Sequence, residues 1–242
     1  MSAPLLEVRG LSKRFGGFTA LSDVSLSARR GERLGIIGPN GSGKTTLINC
    51  ISGALRSDAG FIGLDGAELT RLPAHRRTRL GIARSFQIPR PFAAMSLAEN
   101  VAVPLEYVTH RRSLHLADVR GEALAILGEM GLAAKADALA GTLSQVELRK
   151  LELARALASR PCLLILDEVM AGLSALEVDE MLAIVLRVNE RGVTIIMIEH
   201  IMRAIMRFSE RVVCLDAGQI LAEGSPAQVA ADASVRKVYL GA

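Results

Sequence analysis

The stretch RLGIIGPNGSGKTTLINC, residues 33–50, decides the fold. It opens with RLGII, a run typical of a strand buried on both faces, and the apolar spacing after residue 46 is typical of a helix. Between them, GPNGSGKT at 38–45 matches the pattern G-x-x-x-x-G-K-S/T. Glycines let a chain curl until several backbone N–H groups face one anion, and a helix N-terminus adds partial positive charge. The stretch therefore predicts a phosphate-binding loop between a strand and a helix.

Two side chains of this loop carry the predicted chemistry. Lys44 supplies a mobile cation for the β and γ phosphates of a nucleotide, and Thr45 offers a hydroxyl to Mg²⁺. The residues expected to surround the phosphates are Gly38, Pro39, Asn40, Gly41, Ser42, Gly43, Lys44, Thr45 and Thr46.

Two further apolar runs are each followed by polar side chains. LLILDE, at 163–168, ends in Asp167 and Glu168, and His200 comes soon after the run VTIIMI at 193–198. The carboxyl ends of parallel strands form the ligand-binding edge of an open α/β sheet. We predict that Asp167 holds Mg²⁺ through water, that Glu168 polarises an attacking water and that His200 contacts the γ-phosphate.

Composition excludes several classes of protein. Half of the 242 residues are hydrophobic, yet the longest apolar run is 181–186, far short of the about 20 residues that a membrane-spanning helix needs. No signal peptide is visible, so we expect a cytoplasmic chain. The cysteines at 50, 162 and 214 are odd in number and form no CxxC pattern, which argues against a disulfide framework or a zinc site. The net charge of +4 is compatible with an anionic ligand, a nucleic acid or a membrane surface, and it does not distinguish between them.

The order of patterns along the chain predicts the architecture. Strands that alternate with helices indicate a mainly parallel sheet with right-handed crossovers. Residues 96–157 are predicted to be mostly helical, with capping boxes that begin at Ser96 and Ser144. A last helix is predicted over roughly 226–240. The arginines of 71–90 are interpreted as lying on a solvent-exposed face. The alternative is that they contact an anion.

With these motifs in place, the chain resembles the nucleotide-binding subunits of ATP-binding cassette (ABC) transporters, nearly from end to end. GPNGSGKTT, the Gln87 of ARSFQIPR, LLILDE and His200 occur in the order and spacing of that family. The segments FGGFTALSDVSL, SLAENV, LDEVMAGL and AEGSPAQV make it similar to the ATPases of branched-chain amino acid importers.

The resemblance implies a fold and a domain organisation. The fold is an α/β P-loop NTPase (RecA-like) with a mainly parallel sheet, an N-terminal antiparallel β subdomain and an inserted helical lobe. One nucleotide-binding domain would span 1–242, with the core and β subdomain at about 1–90 and 155–242 and the helical lobe at about 91–154.

The resemblance also implies roles for residues. Phe15 would stack on adenine, with Phe18 a weaker candidate. Gln87 would touch Mg²⁺ and the attacking water, and its loop would report to a membrane subunit. Asp167, Glu168 and His200 match the metal carboxylate, the catalytic base and the switch histidine. The implied cofactors are ATP and Mg²⁺.

The chain departs from the family at its signature, usually LSGGQ, where residues 143–157 are LSQVELRKLELARAL. Ser144 matches, but Val146 replaces the second glycine and Glu147 replaces the glutamine. Val146 fills the space through which a partner's γ-phosphate would approach the backbone. Glu147 would complete a capping box with Ser144, which stabilises the helix by about 0.3–1 kcal/mol, yet it repels phosphate. We therefore hypothesise that the composite site using this signature is weakened.

The implied partners are a second nucleotide-binding subunit, two transmembrane permease subunits and, indirectly, a periplasmic or extracellular solute-binding protein. The altered signature favours a heterodimer over a homodimer, and no nucleic acid partner is expected. The chain would lie peripherally on the cytoplasmic face of the inner membrane. The expected contacts with the membrane subunits are Ile88, Pro89, Pro91, Phe92 and Met95.

Alternatives remain open at this point. The transported solute could be a branched-chain amino acid, another amino acid, an amide or urea. The chain could also be an ATP-binding regulatory or degenerate cassette with weak hydrolysis, or a soluble ABC ATPase that serves no transporter.

Overall fold

The computed structural model describes residues 3–85, 89–109 and 116–240. Its strands are β1 (Leu6–Phe15), β2 (Phe18–Ala28), β3 (Arg33–Ile37), β4 (Ala59–Leu64), β5 (Ala67–Glu68), β6 (Ile82–Arg84), β7 (Leu163–Asp167), β8 (Thr194–Ile198), β9 (Arg211–Asp216) and β10 (Gln219–Gly224). Its helices are α1 (Lys44–Ser52), α2 (Ala74–Arg79), α3 (Leu97–Thr109), α4 (Leu116–Glu129), α5 (Gln145–Ala158), α6 (Ala175–Glu190), α7 (Met202–Phe208), α8 (Pro226–Ala231) and α9 (Ala233–Leu240).

The larger sheet carries the predicted phosphate-binding loop. Its strand order is β10-β9-β3-β8-β7-β6, and every neighbouring pair is parallel except β10 with β9. All residues of β7 and β8 are buried, as are the last four of β3. Continuous apolar runs suit strands that are covered on both faces. The predicted mainly parallel sheet is confirmed.

A second sheet is entirely antiparallel. Its order is β2-β1-β4-β5, which confirms the expected N-terminal antiparallel part. Its inner face packs on α1 and on one face of the larger sheet, through a cluster that includes Leu11, Leu21, Ile36 and Leu47. The other face of the larger sheet packs on helices α3 to α6 in a separate cluster. The phosphate-binding loop thus begins on a strand that lies between two apolar cores.

Helices α3, α4 and α5 pack on one another, and two of them, α3 and α5, begin at the predicted caps. The Ser96 hydroxyl accepts a hydrogen bond from the N–H of Glu99, whose carboxylate accepts one from the N–H of Ser96. Ser144 and Glu147 form the same reciprocal pair at the start of α5. Both predicted capping boxes are confirmed.

The predicted last helix over 226–240 is wrong as a single element. It is divided at Asp232, where α8 ends and α9 begins. The reason is local chemistry, since Asp232 Oδ1 accepts from the N–H groups of Ser234 at 2.8 Å and Val235 at 3.1 Å. An aspartate in that position stabilises a new helix start more than it stabilises a helix interior.

The arginine-rich segment 71–90 also needs a correction. Arg71, Arg76 and Arg79 are exposed, as the predicted solvated face requires, but Arg77 is fully buried. Its guanidinium donates to the carbonyls of Cys50 and Ile51, which are the last carbonyls of α1. A cation at a helix C-terminus is favourable because the carbonyl ends carry partial negative charge.

Within the described residues, the helices are too short or too polar for any of them to cross a membrane.

Candidate functional site

The phosphate-binding loop connects the end of β3 to the start of α1. Gly41 has φ +81° and Gly43 has φ +104°, in a region that residues with a Cβ rarely adopt. A Cβ at Gly43 would lie 2.7 Å from the carbonyl oxygen of Ala20. Glycine at these positions therefore permits both the curl of the loop and its close contact with β2.

Lys44 is buried within this loop. Its Nζ donates to the carbonyl oxygens of Gly38 at 2.7 Å and Pro39 at 2.9 Å. Burial lowers the pKa of Lys44, and the nearby carboxylates of Glu168 and Asp167 oppose that shift. The loop thus holds a cation at the N-terminus of α1, where a phosphate would find both charge and backbone N–H groups.

Two of the predicted strand-end side chains meet at the same edge. Asp167 pairs in register with Ile198 of β8, so Glu168 and His200 both lie just past the carboxyl ends of their strands. His200 Nε2 is 2.7 Å from Glu168 Oε1. The two side chains are thus within hydrogen-bond distance, and an imidazole with its proton on Nε2 would donate to the carboxylate. Glu168 has φ +51°, a backbone conformation that is uncommon outside glycine and concentrates at functional sites.

Asp167 is buried and its charge is compensated. Arg84 Nη2 donates to Asp167 Oδ2 at 2.7 Å, and Nη1 donates to Asn49 Oδ1 at 2.5 Å. The sequence analysis missed this pair because Arg84 was one of several arginines in 71–90. The signal available was its place at the end of an apolar segment, next to a strand that ends in a carboxylate. Asn49, Arg84 and Asp167 thus join α1, β6 and β7.

Most of the predicted loop residues line one cleft of about 240 Å³ together with Glu168 and His200, whereas Gly38, Pro39 and Asp167 are not among its lining residues. Phe15 and Phe18 form its outer wall and are exposed, at 50% and 63%. The other lining residues are Ala20, Asn40, Gly41, Ser42, Gly43, Lys44, Thr45, Thr46, Glu168 and His200. Gln87 lies outside the described residues, as does Ile88. The cleft combines aromatic rings, a cation, backbone donors and a carboxylate–imidazole pair.

The oxygen donors near the loop suit Mg²⁺. The described residues hold no group of three or more His, Cys, Asp or Glu side chains that could bind a metal ion by themselves. Thr45 and Asp167 instead offer one hydroxyl and one carboxylate. Mg²⁺ is commonly held by one or two protein oxygens, with phosphate oxygens and waters completing its octahedron. The donor set therefore fits a magnesium ion that arrives with a nucleotide.

The altered signature lies elsewhere, since residues 144–147 do not line this cleft. The Ser144 hydroxyl donates to Glu147 Oε2 at 3.1 Å, so both polar groups of the helix start are engaged with each other. Lys135 Nζ is 2.6 Å from Glu147 Oε1, and its hydrogen bond is the main cause that lowers the pKa of Glu147. The sequence analysis missed Lys135, whose partner is twelve positions away. Glu147 therefore stays ionised, and the positive charge of Lys135 partly neutralises it.

Glu199, beside His200, is a second residue that the sequence analysis missed. It is almost fully buried, and its Oε1 accepts from the N–H of Met170 at 2.8 Å. Burial raises the pKa of Glu199 to about 7. Glu199 thereby connects the segment after β8 to the segment after β7.

Comparisons with known proteins identify the family of this chain. The family model described as ABC transporter matches residues 21–171, and the model described as branched-chain amino acid ATP-binding cassette transporter matches 219–242. The high-affinity branched-chain amino acid transport ATP-binding protein BraF of Pseudomonas aeruginosa is 39% identical, over 100% of this chain and 99% of its own length.

Solved structures agree as well. The ADP conformation of MJ1267, an ATP-binding cassette of an ABC transporter, is 31% identical with a TM-score of 0.89, over 100% of both chains. The dimeric post-hydrolysis state of the cassette MJ0796, bound to ADP and Pi, is 25% identical with a TM-score of 0.83, over 91% of this chain and 98% of that one.

Proposed function

The chain belongs to the ABC transporter family of ATP-binding subunits, and on that premise we propose that it hydrolyses ATP to energise an importer of branched-chain amino acids. One observation carries the proposal: the loop that holds Lys44 and the Glu168–His200 pair line the same cleft. The solute class is supported by the match of the C-terminal residues 219–242 and by the relative from Pseudomonas aeruginosa.

The residues divide the chemistry between binding and hydrolysis. Phe15 stacks on the adenine, while the loop amides and Lys44 hold the β and γ phosphates. Glu168 accepts a hydrogen bond from the attacking water and orients it in line with the γ-phosphate. His200 keeps the Glu168 carboxylate in place and contacts the γ-phosphate. Catalysis of phosphoryl transfer rests mainly on such positioning and charge neutralisation.

Mg²⁺ would be held by Thr45 and Asp167, and it supplies charge neutralisation to the phosphates when bound. Asp167 is prepared for that role by Arg84, which fixes the position of its carboxylate. Gln87 is proposed to contact the metal and the attacking water.

The partner cassette completes the second half of each ATP site. In the proposed assembly, the signature helix α5 of one cassette faces the phosphate-binding loop of the other. Val146 and Glu147 make α5 of this chain a poor contact for a phosphate, whereas its own loop and Glu168 are intact. We therefore favour a heterodimer, in which a partner with a normal signature completes the site on this chain.

A groove between the core and the helical block suits a segment of a membrane subunit. It measures about 400 Å³ and has mostly apolar walls from α2, β6 and α3, including Ala74, Ile82 and Val103. Arg155 also lines it and lies over the ring of Phe92 at 5.0 Å. Phe92 and Met95 are exposed beside it, which supports the proposed contact at 88–95. The cassette would sit peripherally on the cytoplasmic face of the membrane.

Uptake by a reconstituted transporter tests this function. The chain is assembled with two permeases and a second cassette, in proteoliposomes that contain ATP and Mg²⁺. With the solute-binding protein outside, we expect ATP-dependent accumulation of labelled leucine, and urea and acetamide serve as competing solutes. In Glu168→Gln, turnover at this chain's site should fall by at least about 10²-fold because the group that orients the water is lost.

The outcomes separate the candidate functions. Accumulation of an amide or urea instead of leucine would overturn the proposed solute class without contradicting the proposed ATPase activity. Phosphate release and uptake that are the same in Glu168→Gln as in the wild type would favour a regulatory cassette, in which the partner performs the hydrolysis. Glu99→Gln, at the capping box of α3, is the matched control for the loss of one carboxylate.

A further inference from the structure

The C-terminal helix reaches the phosphate-binding loop through one side chain. The N–H of Gly38, the first residue of the loop, donates to the hydroxyl of Tyr239 at 2.6 Å. Tyr239 lies on α9, which packs against β10 and α8. The two residues are separated by 201 positions, so the contact is purely tertiary.

Gly38 is enclosed on its other sides. A Cβ at this position would lie 2.2 Å from the carbonyl oxygen of Leu215 in β9 and 2.5 Å from the Ser42 hydroxyl. Its amide therefore has little room to turn towards another acceptor. A buried N–H without an acceptor is costly, so Tyr239 is the group that allows this amide to stay where it is.

The same residue of the loop also holds Lys44. The Gly38 carbonyl accepts from Lys44 Nζ at 2.7 Å, while its N–H donates to Tyr239. Gly38 thus lies between the tyrosine hydroxyl and the loop cation, and a shift of its backbone would move the position from which Lys44 meets a phosphate. Burial raises the pKa of Tyr239 to about 12, so the hydroxyl is neutral at physiological pH.

We propose that Tyr239 is a positioning residue for nucleotide binding, which fixes the start of the phosphate-binding loop from the C-terminal helix. Tyr239 does not line the nucleotide cleft, so it acts through Gly38 and Lys44 and not by contact with ATP. The division of the last helix at Asp232 gives α9 its own start, separate from that of α8, and α9 is the element that carries Tyr239 to the loop. The inference rests on the proposed nucleotide site.

Tyr239→Phe tests the proposal because it removes only the hydroxyl and keeps the aromatic ring. In the full-length chain with Mg²⁺, a fluorescent ATP analogue should bind with a dissociation constant raised on the order of tenfold. Hydrogen exchange should quicken in the peptide that covers 36–43. In the assembled transporter, KM for ATP should rise while kcat changes by less than about twofold. Tyr107→Phe, at the other tyrosine, is the matched control.

The outcomes separate a positioning role from a structural one. A lowered melting temperature with unchanged ATP affinity would overturn the proposal, and so would faster exchange at 36–43 with unchanged affinity. Tyr239→Ala, which also removes the ring, should weaken ATP binding at least as much as Tyr239→Phe. Failure of the wild-type chain to bind ATP would overturn the proposed function itself, which is a different result from equal binding by wild type and Tyr239→Phe.

Discussion

Glu199 is a carboxyl whose pKa burial brings close to neutral pH. The backbone N–H of Met170 favours its charged form, as does His200, and Glu168 opposes it. Arg149 of α5 also faces it, and burial lowers the pKa of that guanidinium. Loss of solvent outweighs these partners and raises the pKa of Glu199 to about 7. The raised pKa of Glu199, which follows β8, is therefore a property that its residue type alone does not predict.

Glu199→Gln should stabilise the protein in a pH-dependent manner. Between about pH 4.5 and 7 the native state binds more protons at Glu199 than the unfolded state, so this group costs stability as pH rises through that range. Glutamine keeps the acceptor for Met170 and removes the charge. We expect its advantage in unfolding free energy over wild type to grow by about 2 kcal/mol from pH 5 to pH 8, measured by urea unfolding.

Glu177→Gln is the control of opposite sign. Hydrogen bonds from the Ser174 backbone and hydroxyl lower the pKa of Glu177, so its charge contributes stability at neutral pH that is lost as pH falls through the acidic range. An advantage of Glu199→Gln that is equal at pH 5 and pH 8 would show that Glu199 titrates normally.

At the scale of elements, Arg77 joins α2 to the end of α1. Besides the carbonyls of Cys50 and Ile51, it donates to Leu72 O at 2.8 Å and Thr70 O at 3.2 Å. The guanidinium thus satisfies orphan carbonyls at the C-terminus of the helix whose N-terminus adjoins the predicted phosphate-binding loop. Arg77 therefore holds the end of α1 that lies opposite the loop.

Arg77→Met should lower the unfolding free energy by about 3 kcal/mol because four carbonyls lose a donor, and the hydrogen bonds to two of them, Cys50 and Ile51, are buried. Arg76→Met, at the exposed neighbour on α2, should change it by less than about 0.5 kcal/mol. Chemical denaturation of both variants measures the difference. Equal stability of the two variants would mean that water replaces the guanidinium without cost.

The capping boxes illustrate what local patterns can predict. Ser96 and Ser144 begin helices in the structure as their S-x-x-E patterns indicate, because the partners of a cap are only three residues away. At the end of the chain, the apolar spacing concealed another cap of the same local kind. The apolar spacing continues across Asp232, yet its carboxylate accepts from N–H groups two and three residues ahead, where α8 ends and α9 begins.

At the scale of the whole molecule, we propose that the cassette carries one strong and one weak half-site. Lys44 and Glu168 line the same cleft on this chain, whereas the start of α5 offers Val146 and a carboxylate. Glu147 also binds Lys135, so a cation that could meet a phosphate is already engaged. Two identical copies would therefore form two weakened composite sites, which supports the proposed heterodimer.

Restoring Val146→Gly and Glu147→Gln together should raise ATP turnover of the assembled transporter on the order of tenfold. The glycine opens space at the backbone, and the glutamine removes a repelling charge and releases Lys135. Phosphate release by the complete complex measures the gain. Glu99→Gln, which alters the equivalent capping box on α3, should leave turnover unchanged. The hypothesis of a weakened site fails if the double variant shows no gain.

The sequence by itself determined the parts of this protein that depend on neighbours along the chain. The loop 38–45 and the buried strands β3, β7 and β8 are contiguous patterns, and parallel pairing then brings Glu168 to His200. Backbone curvature, helix charge and strand periodicity are local properties, so local residues are sufficient to predict them.

Only the tertiary structure decided which distant groups hold that site in place. Arg84 meets Asp167 across 83 positions, and Tyr239 meets Gly38 across 201. Arg77 looked like a surface residue in a basic run, yet it is buried at the end of α1. Hydrogen bonds and burial depend on which elements come together in space, and no periodicity along the chain records that.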